Sequence, residues 1–136
     1  MPFVLDSSVA LSWVLPDEQP SRVDALCDRL IEEPAVVPAI WVLEVGNVLL
    51  TAARRDRITT AELERLAALL SGLPIETDTD GIAHGLDQVL TIARDNALTT
   101  YDAAYLELAQ RRSLPLATLD RRLSRVARNL QISLLP

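Results

Sequence analysis

Lysine is absent from this chain, so all 13 basic side chains are arginine and chemistry that needs a side-chain amine is excluded. A single cysteine, Cys27, rules out an internal disulfide and a cysteine-rich zinc site, and a single histidine, His84, rules out a centre built on two imidazoles. No apolar run approaches the roughly 20 residues that span a bilayer. Met1 to Asp6 reaches a charge without a basic leader region, so a cytoplasmic protein without membrane contact is expected. Aromatic residues make up only 4% and glycine only 4 positions, yet 49% of residues are hydrophobic against 24% charged, which excludes disorder and low complexity. The 136 residues suit one core, so a single domain over residues 1–136 is expected. With 19 acidic residues the net charge is −6, which argues against duplex binding through bulk charge but leaves room for a local arginine patch to hold phosphates.

Short apolar runs alternate with amphipathic ones. Phe3-Val4-Leu5 reads as a buried strand ending at Asp6-Ser7-Ser8, which opens a short helix that Pro16 stops. Val23, Leu26, Cys27, Leu30 and Ile31 form one helical stripe that includes Cys27 as a structural residue. Val36-Val37-Pro38 reads as a second strand, and Ala39 to Ala53 as an apolar helix interrupted by Glu44 and Asn47. Thr59 to Glu62 matches a capping box ahead of an apolar face formed by Leu63, Leu66, Leu70 and Leu73. After a weak strand at Pro74-Ile75-Glu76, the spacing of Ile82, Leu86, Val89, Leu90 and Ala93 predicts a helix with those residues inward. Thr99-Thr100 caps a helix running to Arg112, and Leu114 to Leu119 reads as a strand leading into Asp120. The last helix has Leu123, Val126, Ala127 and Leu130 inside with Arg121, Arg125 and Arg128 outside, and Ile132-Ser133-Leu134 reads as an edge strand. This alternation implies crossover connections, hence an α/β fold: a small three-layer α/β/α sandwich around a mainly parallel sheet.

Ligands bind such sheets beyond the carboxyl ends of the strands, and Asp6 and Asp120 each follow an apolar strand directly. Asp102 falls in the first turn of its helix, and Glu44 lies among Ile40, Trp41 and Val48 on a mostly apolar helical face. Taken singly, Asp6 and Asp120 read equally as helix caps and Asp102 as a partner of the helix dipole. Glu44 resists such a reading, because a carboxylate on an apolar face costs several kcal/mol to desolvate without a partner. Brought together, four carboxylates repel one another, and a divalent cation is the natural compensation. All-oxygen ligation favours Mg²⁺ or Mn²⁺ over zinc. Such a site orients a phosphodiester and activates water, so no side-chain nucleophile is required. Ser7, Asn47 and Thr118 stand near these acids as candidates to hold carboxylates or waters, Asn47 being one helical turn from Glu44.

Four segments in this order resemble the PIN-domain ribonucleases, and more narrowly the VapC toxins of bacterial toxin/antitoxin pairs. They are Val4-Leu5-Asp6-Ser7-Ser8-Val9-Ala10, Trp41 to Asn47, Leu98 to Ala109, and Pro115-Leu116-Ala117-Thr118-Leu119-Asp120. The resemblance covers nearly the whole chain and implies a PIN-like fold with metal-dependent endoribonuclease activity. Asp6, Glu44, Asp102 and Asp120 match the family's acidic quartet, which implies catalysis and Mg²⁺ or Mn²⁺ binding at those positions, with cleavage leaving a 3′-hydroxyl and a 5′-phosphate. It also implies a homodimer and a cognate antitoxin, whose groove could include Trp13 unless that residue is plain core. Many members carry a further acid where this chain has Arg122, which puts occupancy by two metals in doubt.

Arginines at Arg54, Arg55 and Arg57 and at Arg111-Arg112 end helices, where cations suit the dipole. Arg121, Arg122 and Arg125 begin beside Asp120, where the phosphates of a bound RNA need guanidinium partners. A receiver-type phosphoacceptor domain needs a lysine that this chain lacks. A haloacid-dehalogenase-type phosphatase needs a second aspartate where Ser8 stands. The remaining alternative is a non-enzymatic PIN-like module for RNA or protein binding, against which the intact acids argue.

Overall fold

A computed structural model describes residues 1–15 and 24–135, apart from the Asp24 side chain. Pro16 and Val23, expected to end one helix and begin the next stripe, lie outside the described residues. The elements run β1 (Phe3–Leu5), α1 (Ser7–Val14), α2 (Asp24–Arg29), β2 (Ala35–Pro38), α3 (Trp41–Arg54), α4 (Thr60–Ser71), β3 (Ile75–Asp78), α5 (Asp80–His84), α6 (Leu86–Asn96), α7 (Thr100–Arg112), β4 (Leu116–Ala117), α8 (Arg121–Asn129) and β5 (Leu134–Leu135).

All five strands are parallel, in the order β3-β2-β1-β4-β5. The chain moves outward from β1 through β2 to β3, then returns to the other side of β1 for β4 and β5. That reversal sets the carboxyl ends of β1 and β4 side by side, with Leu5 in register with Ala117 and the Asp6 amide donating to the Ala117 carbonyl at 3.0 Å. Every residue of β1, β2 and β4 is buried. Because neighbouring strand residues point to opposite faces, helices must cover the central strands on both sides. The edge strand β3 differs, exposing Glu76 and Thr77.

The core consists of Phe3, Val4, Leu5, Val36 and Leu116 from the sheet, with Val9, Tyr105, Leu106, Leu108 and Leu123 from α1, α7 and α8. The Thr59 capping box forms as the sequence predicts, Thr59 Oγ1 accepting from the Glu62 amide and Glu62 Oε1 from the Thr59 amide. The helix expected over Ile82 to Ala93 instead breaks at Gly85 into α5 and α6. A Cβ at Gly85 would stand 2.6 Å from the Gly81 carbonyl oxygen, so the break needs a residue without one. The inward face also differs from the expected one: Ile92 and Ala93 are buried, whereas Ile82, Leu86 and Leu90, expected inward, are exposed. With Val42, Leu43 and Tyr101 they add to the apolar surface, and several of them line a cavity of about 380 Å³ together with Pro38, Ile40 and Val89. Among the described residues no helix is long and apolar enough to cross a membrane.

Candidate active site

Asp6 follows β1 at the N-cap position of α1, with extended backbone, yet its side chain makes no capping bond. Its carboxylate, 6% exposed, is held laterally. Ser8 Oγ donates to Asp6 Oδ2 at 2.5 Å and Thr118 Oγ1 donates to the same oxygen at 2.8 Å. Both hydroxyls are themselves anchored, Ser8 Oγ accepting from the Leu119 amide at 3.0 Å and Thr118 Oγ1 from the Asp120 amide at 3.0 Å. Two donors on one oxygen leave Oδ1 without a hydrogen-bond partner among the described residues.

Asp120 follows β4 and caps α8, its Oδ1 accepting from the Leu123 amide at 3.0 Å. Asp102 lies in the first turn of α7, where Thr99 caps the helix by accepting from the Asp102 amide at 3.1 Å. Glu44 lies in the first turn of α3, half-buried, and Tyr105 of α7 donates its hydroxyl to Glu44 Oε1 at 2.5 Å.

Three of the four acids hold their protons more tightly than usual. Burial pushes the Asp6 carboxyl up, with Asp102 and Asp120 adding to the rise while Ser8 and Thr118 pull it back. Burial also raises Glu44, the Tyr105 donor opposes the rise, and the charges of Asp6 and Asp102 add to it. Asp102 is raised by burial and by Asp120, against Arg122 and the Thr99 hydroxyl. Asp6, Glu44 and Asp102 each feel at least one other acid of the quartet, and Asp120 acts on Asp6 and Asp102. Burial and the negative charge of Asp6, reinforced by Glu44, push the Tyr105 phenol up and keep it a donor.

A cation of oxygen-seeking type suits this donor set: among the described residues, Asp6, Glu44 and Asp120 each commit one carboxylate oxygen to the protein and leave the other without a partner. Among the described residues no three acidic, histidine or cysteine side chains form a ready-made metal cage.

The polar neighbours fall differently from their sequence spacing. Thr118 holds Asp6, but Ser8 rather than Ser7 is its second donor, and the Ser7 hydroxyl instead lies near the Tyr105 phenol, where it lowers the phenol's pKa. Asn47 is exposed on α3 and makes no hydrogen bond to a described residue. Arg121, Arg122 and Arg125 are all exposed on α8. Arg122 donates to the Ala97 carbonyl at the end of α6, which gives it an anchor besides any ligand. Ser8 could have been found from its position two residues beyond Asp6, a spacing at which a hydroxyl reaches back to a carboxylate. Tyr105 carries no such local signal, because its partner lies 61 residues away.

A second charged cluster, unanticipated from sequence, lies at the end of β3. Arg111 donates to both carboxylate oxygens of Asp78 (3.2 and 2.7 Å) and to both of Glu107 (2.6 and 3.2 Å), and the Gly81 amide also donates to Asp78 at 3.1 Å. Burial pushes Asp78 up, but Arg111 and the Gly81 amide outweigh it and hold the carboxyl below its usual range. The three residues satisfy one another and tie α7 to β3 and α5.

This fold, with an acidic quartet at the carboxyl end of a parallel sheet, coincides with a PIN domain match over residues 3–129. The chain belongs to the PIN-domain family. Its curated relatives carry VapC names. It is 35% identical over 92 residues to "Exonuclease VapC9" of Pyrobaculum aerophilum, an alignment covering 67% of this chain and 65% of that protein. It is 29% identical over 128 residues to "Ribonuclease VapC3" of the same organism, covering 91% of this chain and 93% of that protein. The crystal structure of PAE2754 from Pyrobaculum aerophilum superposes with a TM-score of 0.68 at 27% identity, covering 93% of this chain and 79% of that one. FitAcB from Neisseria gonorrhoeae shares the fold, with a TM-score of 0.67 at 21% identity over 98% of this chain and 96% of that one.

Proposed function

We propose that residues 1–136 form a single PIN-like domain acting as a divalent-metal-dependent endoribonuclease toxin in the cytoplasm, neutralised by a cognate antitoxin and working as a homodimer. The observation that carries this reading is the convergence of Asp6, Glu44, Asp102 and Asp120 at the switch point of the sheet, where burial and neighbouring acids raise the pKa values of Asp6, Glu44 and Asp102. The family match and the printed names of the VapC relatives support it.

The four acids would hold Mg²⁺ or Mn²⁺ through their uncommitted oxygens. When bound, such an ion supplies charge neutralisation, Lewis-acid polarisation and a bound water of lowered pKa. The protein's own part is positional. Ser8 and Thr118 fix Asp6 and help keep it ionised despite burial, and Asp120 is clamped to the start of α8. Arg121, Arg122 and Arg125 would offer guanidinium groups to RNA phosphates on the flank where α8 begins. The exposed apolar residues Leu43, Ile82, Leu86 and Tyr101 supply surface of the kind that a second copy or an antitoxin covers.

Incubating the purified protein with RNA and mapping the product ends tests this reading. The expected products are discrete internal fragments with 3′-hydroxyl and 5′-phosphate termini. RNA that is bound but left uncut would favour the non-enzymatic module.

A further inference from the structure

We infer that Tyr105 is a positioning residue for the acidic centre, its buried hydroxyl fixing the Glu44 carboxylate so that one oxygen faces the protein and the other stays available to a cation. This inference rests on the nuclease reading and deepens it.

Glu44 needs an outside anchor more than the other acids do. Asp6 is gripped by two hydroxyls and Asp120 by a backbone amide, and both have short side chains close to the chain that holds them. Glutamate has one more rotatable bond, so ordering its carboxylate costs more rotamer freedom. Among the described residues, the Tyr105 hydroxyl is the one hydrogen-bond partner of the Glu44 carboxylate, at 2.5 Å. Tyr105 is well suited to the task because its ring is 0% exposed and cannot swing.

Position along the fold makes the contact a cross-brace. Tyr105 lies three residues after Asp102 on α7, whereas Glu44 belongs to α3, so the phenol fixes one acid relative to the helix that carries another. Ser7 of α1, the residue after Asp6, lies close enough to the same phenol to lower its pKa, so the first acid-bearing segment also borders this contact. Phenylalanine would fill the same volume in the core. The hydroxyl therefore contributes through Glu44, not through packing.

The test compares wild type, Tyr105→Phe, Glu44→Gln and the double variant for Mn²⁺ affinity by electron paramagnetic resonance, with melting temperatures and RNA-cleavage kinetics alongside. Tyr105→Phe is expected to weaken Mn²⁺ binding and lower kcat by about 10–100-fold, the usual range for a residue that supports a ligand, with KM for RNA unchanged. In the Glu44→Gln background the same change is expected to have no further effect on Mn²⁺, because the residue it acts through is already altered. The double variant has no carboxylate at position 44 left unpaired by losing the phenol, so this comparison holds even where the single variant is destabilised. Wild-type Mn²⁺ affinity in Tyr105→Phe, or an additive loss in the double variant, would overturn the inference. Wild-type protein that binds Mn²⁺ but cuts no RNA would instead overturn the nuclease reading, and the Mn²⁺ comparison would still decide the role of Tyr105.

Discussion

At the scale of single residues, Asp6 and Asp120 occupy the same local setting, a carboxylate between a strand and a helix, and do different work. Asp120 caps its helix, while Asp6 leaves its helix uncapped and is turned aside by Ser8 and Thr118. Because those donors lower the Asp6 pKa, Thr118→Val raises it further. The acidic limb of the pH–rate profile is then expected to move to higher pH, with cleavage down by about 10–100-fold. An unmoved limb would show that Thr118 does not tune Asp6.

Stability carries the opposite signature. The folded-state pKa of Asp6 lies above its ordinary value of 3.8, so native structure loses stability as pH rises through the folded value. Asp6→Asn removes that loss, and in EDTA the variant is expected to melt above wild type at neutral pH, with the gap closing as pH falls toward 3.8. Thermal melts across that range check it. Local spacing made both aspartates legible in the sequence, because a strand leading straight into an acid is a contiguous pattern. It misassigned the hydroxyl to Ser7, since neighbouring side chains at a strand-to-helix turn point in different directions.

At the scale of elements, α7 organises the protein. Asp102 sits in its first turn, Tyr105 braces α3, and Glu107 with Arg111 ties its far end to β3 and α5. Asp78 and Glu107 are 7% and 4% exposed, and Arg111 is their shared cation. Arg111→Met would leave two buried carboxylates without that partner and is expected to cost about 3–5 kcal/mol in urea unfolding at neutral pH. Unchanged stability would mean that water reaches both acids. The sequence showed α7 through its Thr99 cap and showed the capping box of α4, because such signals lie within a few residues. It could not show the break at Gly85, where the backbone approaches closely, and it turned Ile82, Leu86 and Leu90 inward when they face out.

At the scale of the whole molecule, the parallel sheet followed from the alternation of short apolar strands with helices. The strand order did not, because nothing local says on which side of β1 the chain returns. That order creates the site by setting Asp6 beside Thr118 across 112 positions of sequence. A net charge of −6 also means that the proposed RNA would have to be met locally, by groups such as the exposed arginines at the start of α8.

The most direct test of the central claim is cleavage of a total-RNA sample by the purified protein with Mg²⁺, with Mn²⁺ and with EDTA, beside Asp6→Asn. Discrete fragments are expected with either metal, none with EDTA, and a loss of at least about 100-fold in the variant, since even supporting residues of such sites cost 10–100-fold. Cleavage that persists in EDTA, or an Asp6→Asn protein cutting at the wild-type rate, would contradict the account.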